Sequence, residues 1–258
     1  MLKKICVSVL ITYLAVLILM TVFQRSFIYH PSIFENYDQS KLNQINAIVV
    51  NDQNLEWLFL PAYQSTNRIL VYFHGNGWHA LGRANKADRW RQNGYNVVLA
   101  EYPGYGTNAG SPSEQSFYDS ARVTINKTLS DFPNTELYFY GESIGSGVAV
   151  QMATEYDERA VIIEGGFSSL TDVAWNRYPF LPVPLLLEDK FYNISKINDI
   201  GSKIAFIHGV KDKTVPYRFS KKIYDQFDGD KLFITLDEAS HNNKYDYFDI
   251  DSIMSFLK

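Results

Sequence analysis

Leu137-Tyr138-Phe139-Tyr140-Gly141-Glu142-Ser143-Ile144-Gly145 decides the fold: a run of strand formers enters a Gly-x-Ser-x-Gly pentapeptide, and a helix-like stretch follows through Ser146 to Tyr156. Strand, tight turn and helix in that order are what a nucleophile elbow requires, with the central serine thrust out of the turn in a strained conformation. Side chains at Gly141 or Gly145 would collide with the neighbouring backbone. Ser143 is therefore the candidate nucleophile. The pentapeptide alone is a common string, and its flanks carry the inference.

Working outward, continuous apolar runs appear at Ile69 to Phe73, Val97 to Ala100, Val161 to Ile163, Ile204 to Ile207 and Leu232 to Leu236. Runs apolar on both faces are typical of buried parallel strands. Two shorter strand candidates precede them, Ile45 to Val50 and Leu55 to Leu60, after a polar connection from Ser32 to Gln44. Helix-like stretches fall between the strands at Ala80 to Gln92, Ser113 to Leu129 and Tyr217 to Phe227, and Tyr245 to Leu257 closes the chain. The alternation predicts an α/β fold, a mostly parallel central sheet with helices on both faces, and a site at the carboxyl ends of its strands. Phe167 to Ile200 breaks the pattern: Pro179, Pro182 and Pro184 interrupt a mostly apolar stretch. It reads either as a small cap or as an ordinary connection packed on the core.

The 258 residues suit one α/β domain, residues 31–258, once the first thirty are set aside. A net charge of −4 with no basic stripe gives no reason to expect a nucleic-acid partner. The single cysteine, Cys6, excludes an internal disulfide and any multi-cysteine zinc motif. Lys3 and Lys4 precede an uncharged, mostly apolar run from Ile5 to Phe23, about 19 residues, close to what a hydrocarbon layer of about 30 Å needs. No small-x-small cleavage site follows it, so a retained membrane anchor is expected over a cleaved signal or a core helix. Lys3 and Lys4 against Arg25 favour a cytoplasmic N-terminus and an extracytoplasmic main domain. No feature specifies an oligomeric state.

A serine hydroxyl needs a base to take its proton and an acid to orient that base. When an elbow sits in such a sheet, the acid and then the histidine follow the serine along the chain. Only His208 and His241 follow Ser143. His241, in the polar loop after the last strand candidate, is the expected base, whereas His208 at a strand end is expected to shape its turn. Asp212, in the loop after the penultimate strand, is the expected acid; Asp228, Asp230 and Asp237 are its competitors. Backbone N–H groups of Ile144 and Asn76 are the expected oxyanion donors, the latter in Phe73-His74-Gly75-Asn76-Gly77. Tyr102 to Gly106 reads as a rigid turn, with Tyr102 or Tyr105 the alternative pocket wall. Glu142 is expected to face solvent, and Asp246, Asp249 and Asp251 to form a wet helix face.

The sequence resembles the α/β-hydrolase superfamily, and more narrowly the membrane-anchored alpha/beta-hydrolase-domain-containing proteins, a subgroup that includes protein depalmitoylases. Gln24 to Pro31, Phe73 to Gly77, Glu101 to Gly106, Gly110 to Glu114, Gly141 to Gly145 and the Asp212 and His241 loops carry the likeness over nearly the whole chain. It implies an α/β-hydrolase fold and hydrolysis of an ester or thioester through Ser143, Asp212 and His241. No metal or organic cofactor is implied, and the expected substrate is a small or lipid-like acyl ester. A serine peptidase or a non-catalytic binding protein on the same fold are the alternatives. Ser146 stands where many relatives carry glycine, and the cysteine cluster expected for palmitoylated targeting is missing.

Overall fold

The computed structural model describes residues 1–258. In chain order the strands are β1 (His30–Pro31), β2 (Ile48–Asp52), β3 (Leu55–Leu60), β4 (Arg68–Phe73), β5 (Gly77–Trp78), β6 (Asn96–Ala100), β7 (Glu136–Glu142), β8 (Ala160–Glu164), β9 (Lys203–Gly209) and β10 (Lys231–Leu236). The helices are α1 (Leu2–Val22), α2 (Gln24–Ile28), α3 (Gln39–Ile45), α4 (Ala84–Gln92), α5 (Glu114–Asp131), α6 (Gly145–Ala153), α7 (Leu170–Arg177), α8 (Val183–Leu186), α9 (Asn193–Lys196), α10 (Tyr217–Gln226) and α11 (Ile250–Leu257). Eight strands make one sheet in the order β10-β9-β8-β7-β4-β6-β3-β2, parallel except for β3, which runs antiparallel to both β6 and the edge strand β2. The remaining pair, β1 and β5, is a short parallel contact beside the site.

Successive residues of a strand point to opposite faces, and here each face is sealed by its own helices. Ile69, Val71, Phe73, Leu137 and Phe139 pack with Phe117 and Ile125 of α5, Val148 and Met152 of α6 and Ile223 of α10. Their neighbours Leu70, Tyr72, Tyr138 and Tyr140 pack with Leu42 of α3, Ala87 and Trp90 of α4 and Ile253 of α11. Strand runs that are apolar throughout are the direct consequence of burial on both faces.

Two element boundaries differ from the sequence reading. The polar connection holds α3, capped by Asp38, whose carboxylate accepts the N–H groups of Ser40 and Lys41. Asn46 in a left-handed conformation ends it, so Ile45 closes a helix and the strand starts only at Ile48. The final helix is shorter than its pattern, because Lys244–Asp246 form a separate 3-10 turn and Asp249 caps α11 at Asp251 N. Residues 167–200 hold three short helices, α7, α8 and α9, beside the carboxyl ends of the strands. Tyr29 lies in the main core, so the chain joins the domain fabric directly after α1.

Glu158 lies buried ahead of β8, where Ser202 Oγ donates to its Oε1 at 2.6 Å. Burial pushes its carboxyl up to about 7, with the Ser202 hydrogen bond offsetting part of the effect. An acid whose pKa rises on folding leaves stability intact below its unfolded value, about 4.5, and lowers it as pH climbs through the folded one. Glu158→Gln should therefore leave stability unchanged near pH 4 and raise it by about 1–2 kcal/mol at pH 8.5, as read by unfolding in detergent at both pH values.

Candidate active site

Strand register builds the site. Phe73 of β4 pairs with Gly141 of β7, so the loop after β4 and the elbow after β7 leave the sheet side by side. Ser143 sits at φ 52°, a left-handed conformation that costs a side-chain-bearing residue about 1–3 kcal/mol. Its N–H donates to Glu164 O at 2.8 Å, and Ser146 N–H donates back to Ser143 O at 2.9 Å. A Cβ on Gly145 would fall 2.1 Å from Phe73 O, and one on Gly141 2.5 Å from Ser146 Cα. Only glycine fits at either position.

On the other side of β7, Gly209 of β9 pairs with Leu236 of β10. The two following loops are joined by Lys211 N–H donating to Ala239 O at 3.1 Å. They carry Asp212 and His241 together: Nδ1 of His241 lies 2.7 Å from Asp212 Oδ2, and Nε2 lies 3.1 Å from Ser143 Oγ. Asp212 Oδ1 accepts the N–H groups of Thr214 and Val215 at 2.9 and 2.8 Å, which fixes the carboxylate in plane. Burial pushes the Asp212 carboxyl up. Hydrogen bonds from His208 and His241, with the nearby charge of Lys244, outweigh that and hold it well below the usual carboxylate range. Asp228, Asp230 and Asp237 make no contact with either histidine.

Ile144 N–H and Asn76 N–H donate to no other group of the chain, and both residues face the same cavity as Ser143. The Asn76 loop is held from behind. Tyr105 Oη donates to Asn76 O at 2.8 Å, Tyr102 Oη donates to His74 O at 3.0 Å, and Asn76 Nδ2 donates to Ile28 O at 2.7 Å. His74 is buried with its Nε2 2.7 Å from Glu101 Oε1, while Glu101 Oε2 accepts Ala80 N–H. Tyr102 and Tyr105 therefore brace the loop and lie outside the pocket wall. The Ser113-Glu114 helix start does more than begin α5: Glu114 Oε2 accepts Lys190 and Phe191 N–H at 2.6 and 3.0 Å, tying residues 167–200 to the core.

The cavity above Ser143 measures about 640 Å³ and is largely apolar. Phe167, Leu170, Val173, Leu181 and Leu186 supply one wall, and Met20, Phe27 and Ile28 from α1 and α2 supply another. Three groups were hidden from sequence reasoning. Lys244 is buried behind the histidine, 3.6 Å from Asp212 Oδ2, with its ammonium donating to His241 O. His208 reaches 3.4 Å from the same carboxylate besides bonding Val215 O at 2.9 Å. Glu142 does not face solvent: Tyr72 Oη, Arg83 and Lys86 surround it at 2.6, 2.9 and 3.3 Å. Arg83 ends the 3-10 turn before α4 and Lys86 lies in the first turn of α4, so both cations come from the segment that folds over the elbow.

An esterase of Pyrococcus furiosus superposes with a TM-score of 0.69 over 89% of this chain and 97% of its own, at 14% identity. Residues 64–183, just under half of the chain, match the family model described as serine aminopeptidase, S33. The chain has the α/β-hydrolase fold. Among its sequence relatives, an uncharacterized Mycobacterium tuberculosis protein is 29% identical over 189 residues, covering 72% of this chain and 67% of its own. The lysophosphatidylserine lipase ABHD12 of Danio rerio is 27% identical over 194 residues, 67% of this chain. The chain spans about half the length of that lipase, 50%.

Burial pushes the Glu142 carboxyl up, but the charges of Lys86 and Arg83 prevail and hold it well below the usual carboxylate range. Such a group stabilises the fold above the ordinary carboxylate pKa and loses that contribution as pH falls through its folded value. Glu142→Gln leaves two cations without a full counter-charge and should lower stability at pH 7 by about 3 kcal/mol, with the difference narrowing towards pH 3 in parallel unfolding measurements.

Proposed function

We propose that the protein is a membrane-tethered serine hydrolase that cleaves carboxylic ester or thioester bonds through an acyl-Ser143 intermediate. The chain of contacts from Asp212 through His241 to Ser143, at the floor of an apolar cavity, carries this reading. His241 Nε2 takes the hydroxyl proton as Ser143 Oγ attacks the acyl carbon, and Asp212 steadies the resulting imidazolium. The N–H groups of Asn76 and Ile144 receive the oxyanion. His241 then hands the proton to the departing alkoxide or thiolate. A water deprotonated by the same nitrogen attacks the acyl-serine and releases the acid.

The apolar wall suits an acyl chain better than a peptide, which favours esterase over peptidase chemistry. Arg177 and Lys213 line the cavity without a carboxylate partner, and no acidic side chain lines it. That combination suits an amphiphile with one acyl chain and an anionic head, the class to which the zebrafish relative's named substrate belongs. The likeness to the membrane-anchored subgroup agrees with a tether at α1, which is long and apolar enough to cross a bilayer and has no buried residue. Arg25 is engaged by Asp189 and Glu188, which leaves Lys3 and Lys4 as the free flanking cations and favours an extracytoplasmic catalytic domain.

A fluorophosphonate probe should label Ser143, and Ser143→Ala should abolish labelling and lower kcat by at least about 10³-fold with an unchanged circular dichroism spectrum. Undiminished hydrolysis by that variant overturns the reading. Arg177→Ala with Lys213→Ala should raise KM about tenfold for an anionic lysolipid and leave a neutral monoacyl ester unaffected, as separated by steady-state kinetics on the two substrates.

A further inference from the structure

Tyr13 Oη of α1 donates to Phe180 O at 2.9 Å. Tyr13 stands nine residues before the end of α1 at Val22, which at 1.5 Å per residue is about 14 Å along the helix. The whole helix of 21 residues is about 31 Å long, matching a hydrocarbon layer of about 30 Å. A helix that fills this layer carries whatever is packed beside Tyr13 into the layer as well. Leu17 and Met20 continue the contact, packing on Leu181, Val183 and Leu187.

The stretch beside the helix is suited to that place. Tyr178 to Leu187 contains no charged residue. Leu185 is 84% exposed and Phe180 62% exposed on its outer side, with Trp175 at the border. Backbone polar groups are costly in hydrocarbon unless satisfied internally. Pro179, Pro182 and Pro184 have no N–H to satisfy, and the N–H groups of Tyr178, Leu181, Val183, Leu185 and Leu187 donate within the segment or to α7, while Phe180 N–H has no partner. Phe180 O and Leu186 O are taken by Tyr13 Oη and Gln24 Nε2.

We propose that Tyr178–Leu187 is a second membrane element, seated beside α1 in the acyl-chain region of one leaflet. The cavity between them then opens into the bilayer, and the acyl chain reaches Ser143 laterally without crossing water. This deepens the reading above and rests on its tether, so the test separates the two.

In a Cys6→Ser background, an environment-sensitive fluorophore is placed at Leu185→Cys, and at Asp131→Cys at the exposed end of α5 as an aqueous reference. The full chain is reconstituted in phosphatidylcholine vesicles and floated on a density gradient. Flotation with blue-shifted emission at position 185, quenched by lipids spin-labelled in the acyl chain, while position 131 stays aqueous, is the expected result. Flotation with water-like, unquenched emission at 185 overturns the insertion and leaves the tether standing. Failure to float overturns both and leaves the chemistry of Ser143 untouched. As a second arm, Leu185→Asp should lower turnover of a long-chain ester embedded in vesicles about tenfold and leave a soluble short-chain ester unchanged. Equal loss on both substrates, or none on either, overturns lateral entry.

Discussion

Everything at the site depends on holding one serine in a backbone conformation it would not choose. Ser143 at φ 52° is kept there because the parallel ladder ends level at Phe73 and Gly141, because Glu164 accepts its N–H, and because Gly145 passes so close to Phe73 O that no side chain fits. The strain is small beside the two-faced core that imposes it. It turns the side chain outward and brings Ile144 N–H to the start of α6, where the helix dipole also favours negative charge. Beneath the elbow, Glu142 and Glu164 share Lys86 while Arg83 pairs with Glu142, so a cluster of charges stiffens the turn.

Much of this was legible in the sequence, for physical reasons. Strands covered on both faces must be apolar throughout, so β4, β6, β7, β8 and β9 announce themselves. A tight turn between strand and helix needs Gly141 and Gly145, which dates the site to one residue. Order along the chain left two histidines, and the structure brings His241 to Ser143 while His208 stands behind the acid. Illegible were contacts between segments that no local pattern links. Lys244 reads as a surface lysine in a polar loop and is buried against Asp212. Glu142 reads as a loop acid until α4 folds over it. Ile45 looked like the first residue of a strand because it is β-branched and apolar, yet capping by Asp38 and the left-handed Asn46 assign it to α3.

The region at 167–200 shows how a proline-interrupted stretch becomes a useful object. It cannot build a long helix, so it folds into short ones whose apolar sides serve two neighbours, the cavity within and α1 outside. Glu114 grips its far end through Lys190 and Phe191, and Phe191, at φ 42°, turns the chain back towards the core. A segment fixed at its rear and leaning on a helix at its front has little independent freedom.

Arg25 reaches Asp189, and Asp189 in turn accepts Glu114 N–H at the start of α5. The first thirty residues are thus wired to the rest of the domain by charge as well as by grease. A soluble fragment prepared by trimming them would discard Met20 and Phe27 from one side of the cavity and leave Glu188 and Asp189 without their arginine, so its substrate preferences would describe a damaged vessel.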